Sequence, residues 1–151
     1  YENVAWYEDG KVRILDRRCY PHPIKFVTCN TSEEVANAMR DMIVQSAGPY
    51  LACGMGMVLA AYEAKDMPYD KAMEHIRYAQ DLMVNARPTT AKRIKIITDS
   101  CVAAAEEAYA ARKCGKLYFK SRVLIFNDCK HRLFHPIFRH ELIKQVFSCE
   151  F

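Results

Sequence analysis

Residues 50–64, YLACGMGMVLAAYEA, are apolar almost all round, with Glu63 their only charge. A helix without a polar face cannot lie on a surface, so it has to be surrounded by other elements. This segment therefore demands a bundle with itself at the centre. Gly48-Pro49 precedes it and ends whatever helix comes before.

The flanking segments carry the complementary pattern. NTSEEVANAMRDMIV opens with capping residues Thr31 and Ser32 and dipole-favoured Glu33 and Glu34, and its stripe Val35, Ala38, Met39, Met42 and Ile43 predicts a first helix reaching about residue 45. MPYDKAMEHIRYAQDLMVNA has Pro68 near a first turn and Ala72, Ile76, Ala79, Leu82 and Met83 at helical spacing. From Pro88 a long fourth helix turns Ile94, Ile97, Cys101, Ala104, Ala105 and Ala108 inward and ends at Gly115.

Upstream, the period is two. Strands are expected near 3–7 and 11–16 around Asp9-Gly10, a pair suited to the positive φ angles of a tight hairpin, and a third at 24–28 after an extended YPHP link. The fold class is α+β: a small antiparallel N-terminal sheet of about three strands, then a four-helix bundle.

Charge divides the chain in two. Residues 1–111 hold 13 Lys and Arg against 15 Asp and Glu, whereas 112–151 hold 9 against 3. The sequence thus divides into 1–111, sheet plus helices, and 112–151, a basic tail of uncertain structure with a strand-like run at Arg122–Phe126 and a short helix at Pro136–Phe147. A basic balance confined to one end argues against nucleic acid as a partner. No apolar run approaches the roughly 20 residues of a membrane span, and seven scattered cysteines without C-x-x-C pairs fit reduced thiols. A cytoplasmic location is expected, and a chain beginning with Tyr leaves room for a preceding leader.

NARPTTAKR, 85–93, is the stretch with chemical content. With Pro88 in the first turn, the N–H groups of Thr89, Thr90 and Ala91 lack helical acceptors and sit at the positive dipole end. Arg87 beside them can add a bidentate contact to a phosphate. The alternative is plain punctuation, with Arg87 paired to a carboxylate and the threonines capping.

Other constellations are weaker. CGMGM, 53–57, lacks the third glycine and preceding strand of a dinucleotide loop and reads as close helix packing at Gly54 and Gly56. Cys114, Cys129, His131 and His135 have zinc-ligand chemistry but no close cysteine pair, so no metal or cofactor is assigned. Asp16, His75 and Asp99 have ordinary places on strand ends or helix faces, and Cys101 reads as core.

Taken in order, Trp6, Gly10, Val12, Ile14–Asp16, Pro21, AMRDMIV (38–44), GMVLAA (56–61) and ARPT (86–89) resemble the N-terminal half of the methylthioribose-1-phosphate isomerase family, which is related to ribose-1,5-bisphosphate isomerases and to the regulatory subunits of eukaryotic initiation factor 2B. The resemblance spans about 3–110. It implies a small sheet and helical bundle ahead of a larger Rossmann-like domain, usually in a homodimer, and a phosphorylated pentose as the ligand, isomerised between aldose and ketose in methionine salvage. The family's ARPT arginine binds substrate phosphate, which carries over to Arg87; Thr89 and Thr90 join it as candidates through the helix-start N–H groups and their own hydroxyls. A second phosphate contact, V-R-G-A-P-A-I-G, corresponds to VQSAGPYL (44–51), so Gln45 stands for the family's Arg and Ser46 for its Gly. Losing one charge-assisted bond there weakens affinity by about tenfold or more.

The family's catalytic Cys and Asp lie in the second domain, and Asp128 and Cys129 do not reproduce their surroundings. Catalytic residues are therefore unassigned, and the chain is expected to be incomplete for catalysis by itself, as a truncated, divergent or frameshifted form. The other readings are a regulatory or assembly domain like those of initiation factor 2B, binding a homologous subunit and a sugar-phosphate or nucleotide effector, and a structural remnant without ligand.

Overall fold

A computed structural model of the chain describes residues 4–113. The sheet comes first: β1 (Ala5–Glu8), β2 (Lys11–Leu15) and β3 (Phe26–Cys29) run antiparallel in that order. Glu8 pairs with Lys11, leaving Asp9 (φ 47°) and Gly10 (φ 77°) as the two-residue turn. Alternation sorts the side chains. Ala5, Val12, Ile14 and Cys29 are buried on the face toward the helices, while on the other face the Arg13 guanidinium lies 5.5 Å from the Trp6 ring centre and 5.7 Å from that of Phe26.

Four helices follow: α1 (Ser32–Arg40), α2 (Gly48–Glu63), α3 (Tyr69–Ala86) and α4 (Ala91–Lys113), the last preceded by a 3-10 turn at Pro88–Thr90. α2 touches α1, α3, α4, β1 and β2, as its apolar circumference requires. Gly56 permits that approach. A Cβ there would lie 3.0 Å from Val35 Cγ1 of α1 and 3.0 Å from Met83 Sδ of α3. CGMGM is therefore a packing device at Gly56, and Gly54 is buried in the same helix.

α1 starts with its donors satisfied. Thr31 Oγ1 accepts from the Glu34 N–H (3.2 Å), and Glu34 reaches back to the Asn30 N–H (2.6 Å). Glu63, at the end of α2, accepts from both the N–H (2.8 Å) and the hydroxyl (2.7 Å) of Ser32, and lies 2.7 Å from His75 Nε2 of α3.

The end of α1 corrects the sequence reading. The helix stops at Arg40, not near 45. Met42 adopts the left-handed conformation (φ 59°), its N–H donates to the Met39 carbonyl, and the Ile43 N–H donates to the Ala38 carbonyl. This is the Schellman closure, which satisfies the last carbonyls and turns the chain. Met42 is consequently 44% exposed and leaves the stripe it was assigned to, while Ile43 and Val44 are buried from the loop.

Candidate functional site

The corner is built where α3 ends. Arg87 is extended (φ −143°, ψ 99°), since a residue before proline avoids the helical region, and Pro88 then opens the 3-10 turn. The tighter turn changes the donors available. The Thr90 N–H donates to the Arg87 carbonyl (3.1 Å), the Ala91 N–H to Pro88, and the Thr90 hydroxyl to the same Arg87 carbonyl (3.3 Å). Among the described residues, only the Thr89 N–H of the three expected donors takes no acceptor, and Thr89 is exposed.

Arg87 does not pair with a carboxylate among the described residues. Its Nη1 donates instead to the Val44 carbonyl at 3.2 Å, across 43 positions of sequence. That bond brings the second expected segment to the first. The segment is itself fixed from the sheet side, where the Arg17 N–H donates to the Ile43 carbonyl at 2.8 Å. Next to Val44 come Gln45, whose Nε2 reaches the Met42 carbonyl only at 3.5 Å, and exposed Ser46, which has φ 55°. A left-handed residue is what glycine serves best, and Ser46 is where the resemblance has glycine.

Two helix starts converge here. α2 has Ala47 at its N-cap with no side-chain cap and no acid in its first turn, and α4 likewise has no acid in its first turn. From Met42 to Tyr62 and from Leu82 to Thr98 the sequence has no Asp or Glu, whereas Arg87, Lys92, Arg93 and Lys95 fall in the second stretch. Arg93, in the first turn of α4, holds its guanidinium 5.5 Å over the ring of Tyr50, in the first turn of α2. The corner combines one exposed backbone donor, the Thr89 N–H, with two positive dipole ends and the cations Arg87 and Arg93, unpaired among the described residues, Lys95 being taken up by Asp99; that is anion-binding chemistry. Sequence reasoning missed Arg93 and Tyr50. The signal was two cations, Lys92 and Arg93, in a helical first turn where acids are preferred.

The other titratable candidates are engaged elsewhere. Asp16 is held by Arg18 through two guanidinium bonds (2.9 and 2.8 Å) and the backbone N–H (3.0 Å), and the guanidinium keeps its carboxyl down at about 2. Asp99 is lowered by Lys95 and Gln80, at 2.9 and 2.6 Å. His75 meets Glu63. Cys101 is buried in α4, and burial pushes the Cys29 thiol up to about 11. Cys114, Cys129, His131, His135, Asp128 and Gly115 lie outside the described residues.

No protein-family model matches the chain. In sequence it is similar to the methylthioribose-1-phosphate isomerase of Roseiflexus castenholzii, 34% identical over 92 residues, which cover 57% of this chain and 26% of that protein. A putative methylthioribose-1-phosphate isomerase of Archaeoglobus fulgidus is 31% identical over 88 residues, 58% of this chain and 25% of that protein. The chain thus spans about a quarter of the length of the curated relatives it matches. Its fold is that of part of two crystal structures: the delta subunit of translation initiation factor eIF-2B from A. fulgidus (TM-score 0.67, 23% identity) and 5-methylthioribose 1-phosphate isomerase from Pyrococcus horikoshii (TM-score 0.63, 20% identity). Each alignment covers 85% of this chain and 35% of the other. The resemblance read from the sequence stands: the chain resembles methylthioribose-1-phosphate isomerase over about half its length, and its described residues have an α+β fold of three strands and four helices.

Proposed function

We propose that this chain anchors the phosphate of a phosphorylated pentose in a protein of the methylthioribose-1-phosphate isomerase type, with the aldose-ketose chemistry supplied by groups other than the described residues. Arg87 offers the remaining donors of its guanidinium, the Thr89 N–H points from the helix start, and Gln45 and Ser46 line the facing loop. Thr90 shapes the turn, its hydroxyl being committed to the Arg87 carbonyl. The observation that carries the reading is the 3.2 Å bond from Arg87 to Val44, which joins two acid-free segments at two helix starts. The test is a titration of ribose 1-phosphate against the thermal midpoint. A ligand at 100 times its Kd stabilises by about 2.7 kcal/mol. Absence of any shift at millimolar ligand, or an undiminished shift in Arg87→Ala, would refute the reading.

A second reading is favoured by the fold shared with the eIF-2B delta subunit. In it the bundle is a regulatory or assembly domain, and the exposed Tyr78 of α3 and Ile96 of α4 face a homologous subunit or a second copy. Light scattering decides: a dimer that Ile96→Glu dissociates supports this reading, and a monomer at all concentrations removes its homodimeric form.

A further inference from the structure

The phosphate corner has one arginine fewer than the family pattern, because Gln45 carries no charge. We infer that Arg93 supplies the missing cation, so that a phosphate monoester is held between Arg87 and Arg93 and not between Arg87 and residue 45. The inference rests on the phosphate reading above and adds to it a residue that the ARPT and VRGAPAIG motifs do not contain.

Position favours it. Arg93 is the third residue of α4, and helical side chains lean toward the N-terminus, so its guanidinium reaches back toward the Pro88–Thr90 turn. It lies over Tyr50, four residues beyond Ser46 and in the first turn of α2. Its charge therefore sits over the first turn of α2, the helix that follows the loop in which Gln45 replaces the arginine. Its partner favours it too. A ring face takes up none of the guanidinium's N–H donors, so they remain for a bidentate acceptor.

Electrostatics supplies the third argument. A cation in a first helical turn opposes the dipole, and α1 and α3 instead carry Glu33, Glu34 and Asp70 in theirs. Among the described residues no carboxylate lies within ion-pair distance of Arg93 or Arg87. A bound dianion relieves both the mutual repulsion of these cations and their conflict with the helix ends.

The experiment follows thermal stabilisation of the full chain by inorganic phosphate and by ribose 1-phosphate at constant ionic strength. Wild type is compared with Arg93→Gln, with the double variant Gln45→Arg/Arg93→Gln, and with Lys71→Gln at the far end of α3 as a net-charge control. Arg93→Gln is expected to bind both probes about tenfold more weakly, in line with the loss of one charge-assisted contact. Arginine at 45 is expected to restore most of that loss, and Lys71→Gln to bind like wild type. Unchanged binding in Arg93→Gln, an equal loss in Lys71→Gln, or no recovery in the double variant overturns the role of Arg93 and leaves Arg87 as anchor. A wild-type chain that neither probe stabilises refutes the phosphate reading itself.

Discussion

Replacing Gly56 by alanine sets two well-defined effects against each other. In an ordinary helix interior the change gains up to about 1 kcal/mol from propensity. Here the new Cβ would collide with Met83 Cε and lie 3.0 Å from Val35 Cγ1. Apolar carbons rest at about 3.5–4.0 Å, so the Met83 methyl has to move away. Met83 and Val35 are both fully buried. The flexible methionine yields at a cost, and β-branched Val35 in a helix has no second rotamer to use. Overpacking of this kind costs about 1–3 kcal/mol, which leaves a net loss near 1 kcal/mol, or about 2–4 °C for a chain of this size.

A urea midpoint series measures it, with Met83→Ala completing a double-mutant cycle. In the shortened background the collision with Met83 is gone and only the Val35 contact is left, so Gly56→Ala is expected to become neutral or stabilising, by up to about 1 kcal/mol. Equal effects in both backgrounds, or a more stable single Gly56→Ala variant, would refute the three-helix contact at Gly56.

Three further outcomes follow from other residues. Met42→Gly and Ser46→Gly each relieve a left-handed conformation at an exposed position and are expected to stabilise by about 1 kcal/mol, read as a raised urea midpoint; a loss in either would refute the assigned backbone. The Asp16 carboxyl is depressed in the folded state, from 3.8 to about 2, so its contribution is complete above pH 4 and lost as pH falls through 2. Acid titrations should show that loss in wild type and not in Asp16→Asn. Cys29, buried with its thiol raised to about 11, is expected to stay unlabelled by N-ethylmaleimide at pH 8 until urea is added, as peptide mass mapping will show.

The legible parts of this fold were those with one physical solution. The Asp9-Gly10 turn requires positive φ angles, and the all-apolar α2 requires a surround, so both were apparent from residue types. The end of α1 was not. Met42, Ile43 and Val44 continue an apolar pattern, and the left-handed position that usually shows itself as glycine is filled by methionine. At the site, Arg87 stood out beside Pro88, but its partner is the backbone carbonyl of Val44, which leaves no mark in a sequence. Arg93 with Tyr50 was hidden for a related reason. Neither residue type signals a ring contact, and only the juxtaposition of two helix starts makes one.

The bond between Arg87 and Val44 also bears on the entropy of recognition. An arginine free in solvent must surrender its rotamers when it grips an anion, at roughly 0.5–1.5 kcal/mol for a side chain of this kind. Arg87 has already given up much of that freedom to a peptide oxygen, while most of its five donors remain unspent. On the phosphate reading proposed above, the corner is thus preorganised by a group that never meets the ligand. Since that oxygen belongs to the main chain, side-chain replacement at 44 leaves it in place, and only a change in the path of the loop, through Met42 or Ser46, can withdraw it.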